Sequence, residues 1–458
     1  MSFKLLGDIV KIKGGKRLPK SSQLQVIKND HPYIRVRDMG ERYLPRSGLE
    51  YVPDNIFPSI SRYIVNTNDL ILSIVGTVGL VSIVDEFFNN ASLTENCVKL
   101  TGLDEKDAKY LYYYLLSQYG KEEIKARTIG AVQLKLPLYN IEKIQIRWFD
   151  KLIREKIVNC LSTLDDKIEL NNQTNQNLEN IAQAIFKSWF VDFEPVRAKI
   201  AAKQEGNDSE LAAMCAISGK SEAELEQMAK EDFAELQATA ALFPDELVES
   251  ELGEVPKGWD KYSLSKMITL IGGGTPKRSE PDYWNGNIYW FSVKDVPKES
   301  DTFVIRTEER ITELGLNKSS TKLLPVGTTI ITARGTVGKI ALVGHEMAMN
   351  QSCYGVQGIN GVKQFMTYYL IKNAVEVLKK NTHGAVFDTI TQATFETVVS
   401  IKPDIQILNL FECKVEKIMD QIKNNLYQNH SLIEIRDTLL PKLLSGELDV
   451  SGLQGEGA

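Results

Sequence analysis

Two stretches of this 458-residue chain are nearly the same, LSIVGTVGLVSIV at 72–84 and ITARGTVGKIALV at 331–343, 259 positions apart. A repeat of this kind constrains the fold more than any composition, because a chain written twice must build a similar unit twice. Three further matches follow in the same order. IKGGKRLPKS at 12–21 answers IGGGTPKRSE at 271–280, YIRVRDM at 33–39 answers WFSVKDV at 290–296, and TIGAVQ at 128–133 answers THGAVF at 382–387. In chain order the separations are 259, 257, 259 and 254, differences that small loop insertions and deletions in a duplicated domain produce. In each copy the Gly-Thr-Val-Gly element reads as a tight turn between two apolar strands, its glycines supplying positive φ.

Each half closes on a long helical pattern. Leu161, Leu164, Ile168, Asn171, Asn175, Leu178, Ala182 and Ile185 step by three and four, and Val415, Ile418, Ile422, Asn425, Asn429, Leu432, Arg436 and Leu439 do the same at a constant offset of 254. Alternating spacing of this kind is the seam of a coiled coil. No proline interrupts 151–194, which predicts a helix of about 40 residues, roughly 60 Å long at the usual rise, whereas Pro441 is expected to stop the second helix near its end. Asn171, Asn175, Asn425 and Asn429 fall on the seam. Polar layers there cost stability and serve to fix register.

The expected fold is therefore α+β: two tandem, similar, mixed α/β halves and two long helices forming an antiparallel coiled coil, with pseudo-two-fold symmetry. The boundaries read as a first half over 1–148, a long helix over 149–196, an Ala/Glu-rich insert over 197–250, a second half over 251–404 and a second long helix over 405–458. The composition of the insert suggests a helical hairpin. With the helices antiparallel, the halves would lie at opposite ends of a rod.

Charge is distributed unevenly. Segment 204–254 holds 14 Asp+Glu against Lys220 and Lys230, so the chain's net −6 divides into −12 there and +6 elsewhere. A nucleic-acid-facing surface is thus expected outside the insert. The five cysteines are scattered with no CxxC pair, which points to a reducing cytoplasm rather than disulfides or structural zinc. The opening MSFKLLGDIV has neither a basic n-region nor a small-residue cleavage site, so secretion by a signal peptide is not expected, and no apolar run is long enough to span a membrane as a helix.

The catalytic inventory is empty. His31, His345, His383 and His430 are far apart, and no nucleophile elbow, phosphate loop, dinucleotide fingerprint or methyltransferase motif is present. No metal site and no enzymatic activity are expected of this chain. What recurs in both halves is a set of polar and basic residues on loops beside strands. The first half offers Lys13, Lys16, Arg17, Lys20, Arg35, Arg37, Gln133 and Lys135; the second offers Lys277, Arg278, Lys294, Arg334 and Thr336, with Trp284, Tyr289 and Trp290 nearby. Lysine and arginine neutralise phosphates, and arginine also grips guanine edges. Gly14, Gly15 and 272–274 would let the backbone approach a ligand. Arg334 stands where the first half has Val75, so the two halves are not expected to read the same thing.

NLENIAQAIFKSWFVDFEPV at 177–196, SELGEVPKGW at 250–259 and IRDTLLPKLLSGEL at 435–448 resemble the corresponding regions of specificity subunits of type I restriction–modification systems. The resemblance spans essentially the whole chain. It implies a non-catalytic subunit whose halves are target recognition domains, each reading one part of a split sequence in double-stranded DNA. The helices would serve as spacer and as docking surface for two methyltransferase subunits that carry S-adenosylmethionine and methylate adenine. A motor–nuclease restriction subunit using ATP and Mg would complete the complex. A coiled-coil scaffold that binds proteins rather than DNA, and a fused enzyme–reader, are the alternatives.

Overall fold

The computed structural model describes residues 2–40, 42–131, 133–251, 253–298, 301–381, 389–450 and 452. The chain divides into two compact units, one formed by 1–168 with 431–458 and the other by 169–430. The architecture is α+β.

In the first unit an antiparallel sheet is built from β1 (Lys11–Gly14), β2 (Leu70–Ser73), β3 (Val81–Ile83) and β4 (Cys97–Thr101), in the order β1-β4-β2-β3. Strand β2 is buried along its whole length because both faces are covered. Leu70 and Leu72 face a cluster with Tyr110, Leu111 and Tyr114 of the helix Glu105–Leu116, whereas Ile71 faces a second cluster with Ile34, Val65 and Phe88. This alternation is the period-two geometry of a strand. The helix starts at Asp104, whose carboxylate accepts from Asp107 N at 2.8 Å, one of the donors a helix start leaves unpaired.

The second unit repeats the sheet with one strand more. Its strands are β5 (Ile268–Gly272), β6 (Phe303–Val304), β7 (Thr329–Thr332), β8 (Ile340–Val343) and β9 (Cys353–Gly358), in the order β5-β9-β7-β8-β6. The register repeats as well: Leu70 pairs with Leu100 in the first sheet, and Thr329 with Val356 in the second. The helix Gln364–Asn381 is the counterpart of Glu105–Leu116, but its start is capped differently. Glu412 of the second long helix accepts from Phe365 N and Met366 N at 3.0 and 3.1 Å, and burial pushes its carboxyl above the usual glutamate range.

The first long helix runs Lys151–Phe190 and the second Ile405–Ser445, 40 and 41 residues. Within the second unit the pairing is antiparallel. Asn171 Nδ2 donates to Asn429 Oδ1 and Asn425 Nδ2 to Asn175 Oδ1, both at 2.8 Å. Exchanging each residue for its partner at the 254 offset converts one asparagine pair into the other, so a local two-fold passes between them. Within the first unit the stretches 151–168 and 431–445 also run opposite ways, with Arg436 Nη1 on Asp165 Oδ1 at 2.8 Å.

Pro441 does not stop the second helix, which continues to Ser445. A proline inside a helix removes one backbone bond and crowds the preceding turn; here the apolar burial of Leu443 and Leu444 in the first unit's core offsets that cost. The insert is not a simple hairpin either. After Phe190 the chain turns through Phe193, a buried residue with φ +55, into the helices Glu194–Glu205, Ser209–Ser218, Glu222–Glu226 and Lys230–Ala241. Ala213, Met214, Leu225, Leu236 and Phe243 join Trp189, Phe190 and Trp259 in one core. The motif WFVDF thus forms an aromatic joint. Phe190 packs against Phe411 and Trp259, and Phe193 meets Trp259 edge-on at 5.7 Å.

Candidate nucleic-acid interface

The loops singled out from sequence converge at one end of each sheet, and the register shows why. In the first half β1 leaves the sheet at Gly14 beside Val98, β2 leaves at Ser73 beside Cys97, and β4 enters at Cys97. The Gly-Gly-Lys-Arg loop and the Gly-Thr-Val-Gly turn therefore emerge side by side. Arg35 joins them, because Thr94 N bonds Ile34 O at 3.1 Å and Lys16 N bonds Leu93 O at 2.8 Å. A third loop, closed by paired bonds between Ile129 and Lys135, is pinned to the turn through a bridge between Val75 and Lys135. It presents Gln133 and Lys135 to solvent.

The second half repeats this frame. Strand β5 leaves at Gly272 beside Tyr354, β7 leaves at Thr332 beside Cys353, and Asn350 N bonds Phe291 O at 2.9 Å to bring in the segment that carries Lys294. Arg334 bridges Thr389 where Val75 bridges Lys135. The THGAVF stretch itself, with His383, lies outside the described residues.

Both Gly-Thr-Val-Gly turns have the anticipated backbone, with φ of +82 and +96 at Gly76 and Gly79 and of +78 and +79 at Gly335 and Gly338. A hydroxyl at the strand end clamps each one. Ser73 Oγ donates to Thr77 O and accepts from Leu80 N at 2.8 Å; Thr332 Oγ1 donates to Thr336 O and accepts from Lys339 N at 2.9 Å. In the other loop Gly15 and Gly273 stand against the chain itself, whereas Gly14 and Gly272 have open space around them. A Cβ on Gly15 would stand 2.0 Å from Thr94 O, and one on Gly273 1.9 Å from Asn350 O. These two glycines let the chain pass close to its own backbone.

The cations sort into two groups. Arg17 pairs with Glu95, Arg35 and Arg37 both with Glu50, and Lys277 with Glu280. Lys294 lies 3.8 Å from Glu308. Arg278 is held most tightly, with both terminal nitrogens on Glu309, its guanidinium 3.9 Å from the Trp284 ring and 5.1 Å from Trp290. The Arg278 bonds hold the Glu309 carboxyl below the ordinary glutamate range, and Arg35, then Arg37, do the same for Glu50. Lys13, Lys16, Lys20, Lys135 and Arg334 are exposed and have no ion pair among the described residues, although Lys16 lies 5.8 Å from the Tyr63 ring. Thr336 is exposed at the turn tip, where its carbonyl closes the turn.

Sequence reasoning missed the acids. Glu50, Glu95 and Glu309 lie 13 to 78 positions from the arginines they neutralise, and no local pattern announces such pairs. The Arg278–Trp284–Trp290 stack had a signal, since three aromatics crowd 284–290, but its geometry depends on a β-bulge between Trp284 and Ile288.

Among the described residues, no group of His, Cys, Asp and Glu could hold a metal, and no helix is long and apolar enough to cross a membrane. A family profile described as the type I restriction modification DNA specificity domain matches residues 1–180 and 256–430, once over each half. The chain is 33% identical over 356 residues to the HindI type I restriction enzyme specificity subunit of Haemophilus influenzae, covering 74% of this chain and 77% of that protein. It is 24% identical to the MjaIX specificity subunit of Methanocaldococcus jannaschii, over 98% of this chain and 94% of the other. In fold it is similar to the crystal structure of a type I S subunit from M. genitalium, with a TM-score of 0.50 at 15% identity, over 96% and 95% of the two chains.

Proposed function

Because this chain belongs to the type I restriction–modification DNA specificity family, we propose that its two halves read the two parts of a split DNA target while partner subunits do the chemistry. The family match favours this DNA-reading role over the protein-scaffold alternative. Residues 1–148 and 251–404 act as the target recognition domains, the long helices over 149–196 and 405–458 as spacer and docking surface, and 197–250 as an insert between them. The observation that carries the reading is the repeated loop frame. Both halves present the glycine loop and the Gly-Thr-Val-Gly turn at the same end of the same sheet, with a bridge at the same place beside the turn, yet with different side chains, as two readers of different half-sites require.

Within that frame Lys13, Lys16, Lys20 and Lys135 are free to neutralise phosphates. The pairs Asn171–Asn429 and Asn175–Asn425 act as register keys, since a slip of either helix would leave buried amides unpaired. Two methyltransferase subunits carrying S-adenosylmethionine methylate adenine, and a restriction subunit uses ATP and Mg, in the cytoplasm. This chain contributes recognition alone.

Co-expression with its methyltransferase subunit in a host lacking adenine methylation, followed by genome-wide methyladenine mapping, tests the proposal. The expected result is a motif of two short defined parts around a fixed undefined gap. A soluble complex that methylates a single contiguous motif, or none, would sink it.

A further inference from the structure

The sharpest difference between the two loop ends lies in one pair of bridged positions. Val75 stands opposite Lys135 in the first half, and Arg334 opposite Thr389 in the second. Side chains facing across such a bridge start about 5 Å apart. Each half therefore holds one long cation at the same spot, but from opposite sides of the bridge, and as lysine in one half and arginine in the other.

We propose that Arg334 is a specificity-determining residue that reads the guanine of a G·C pair in the major groove of the half-site bound by the second half. This rests on the DNA-reading role assigned above. Three observations carry it. The first is that the other cations singled out in this half are engaged: Arg278 has its fork occupied by Glu309 and its plane laid on Trp284, while Lys277 and Lys294 face Glu280 and Glu308, which leaves Arg334 as the one guanidinium among them without a carboxylate in the described residues. The second is that the Arg334 side chain is exposed, with no ion pair among the described residues.

The third is the stalk beneath it. Ala333 O accepts from Ile390 N at 3.0 Å, Ala333 N donates to Ser352 O at 2.7 Å, and Gly338 N closes the turn on Thr332 O at 2.9 Å. With the backbone already fixed, only the side chain remains to be ordered on binding. Its planar fork matches guanine O6 and N7, which the ammonium of a lysine cannot grip in the same bidentate way.

The test maps methyladenine for the full chain and for Arg334→Lys and Arg334→Ala, each co-expressed with the methyltransferase subunit in a host lacking adenine methylation. The wild type is expected to show a G·C pair in one part of its split motif. Both variants should relax that one pair, with discrimination there falling about 5- to 150-fold, the range for one bidentate base contact. The other part of the motif should be unchanged. Arg334→Lys keeps the charge, so its methylation elsewhere in the motif stays near the wild-type level.

An unchanged motif in Arg334→Ala overturns the assignment, and so does relaxation in both parts. If methylation falls equally at all sites and the salt dependence of DNA binding becomes shallower, Arg334 touches phosphate and the base-reading role is wrong. A wild-type chain with no split motif overturns the specificity role together with this assignment.

Discussion

Tyr113 and Tyr369 occupy equivalent places in the two halves, each buried in a helix that covers its sheet, and each donates its hydroxyl to a carboxylate on the first long helix. The carboxylates are not equivalent. Tyr113 finds Asp165, whose counterpart at the 254 offset is Met419, and Tyr369 finds Glu179, whose counterpart is Ile433. Their other partners differ as well. Asp165 also takes Arg436, whereas Glu179 takes Lys372 and Thr302. Burial above all, and then the neighbouring carboxylate, pushes both phenols well up, so they remain neutral donors.

Duplication thus preserved the need, a buried hydroxyl that must find an acceptor, but not the residue that meets it. The same division runs through the loop ends. The backbone frame is held in common, while the side chains it leaves in solvent have diverged.

The contrast between the two carboxylates can be broken directly. Glu179 is 2% exposed and holds three donors, so Glu179→Ala should destabilise the second unit by about 3–5 kcal/mol, the cost of stripping one partner from a buried ion pair. Trp189, Trp259, Trp284 and Trp290 all lie in that unit, which makes denaturant-induced fluorescence change a direct readout. Asp165→Ala should cost less, about 1–3 kcal/mol, because Arg436 keeps Asp437 as a second partner. Its effect should fall on the first unit, followed through Trp148. If the two variants cost the same, or if each disturbs the other unit's tryptophans equally, the two anchors are not the separate solutions described here.

The asparagine pairs sharpen the comparison from the side of symmetry. Asn429→Leu alone removes one of the two acceptors of Asn171, which keeps Gln428, and the donor to Asn172, at about 1–3 kcal/mol. The two-fold-related Asn175→Leu should cost less, because Asn175 Nδ2 has no partner among the described residues, the counterpart of Asn172 being Leu426. Equal losses in thermal unfolding would show that the two pairs contribute alike despite that difference.

The smallest effect concerns the loop ion pairs. Glu309 titrates below its ordinary range in the folded chain, so the Arg278 pair contributes stability above that range and loses it as pH falls through the folded-state value. The difference in melting temperature between the wild type and Glu309→Gln should therefore be modest at neutral pH and shrink on acidification. A difference that grows as pH falls would contradict the pairing.

Much of this molecule was legible in the sequence because it is local or periodic. The duplication, the turn glycines, the strand runs and the seam with Asn171, Asn175, Asn425 and Asn429 all follow from spacing. What was not legible depends on distant neighbours. Pro441 reads as a helix stop until Leu443 and Leu444 are seen to be buried. Phe193 carries no mark of its left-handed backbone, since phenylalanine rarely adopts it. The loop arginines read as free charges because their carboxylate partners lie a loop or more away. Val75, Lys135, Arg334 and Thr389 could be aligned from sequence, but only the register shows that they face one another in bridges.

The burial of Leu443, Leu444 and Val450 in the first unit's core, with Leu6, Phe149 and Ile157, also has a meaning for synthesis. Phe149 leaves the ribosome almost 300 residues before Leu443, a delay of about 15–60 s at ordinary translation rates. Through that interval the nascent first half carries an uncovered apolar face and waits for a piece that is made only after the second half. A ribosome that stalls within the second half releases a product whose earlier half is also unfinished, and proteases and chaperones can recognise it as such.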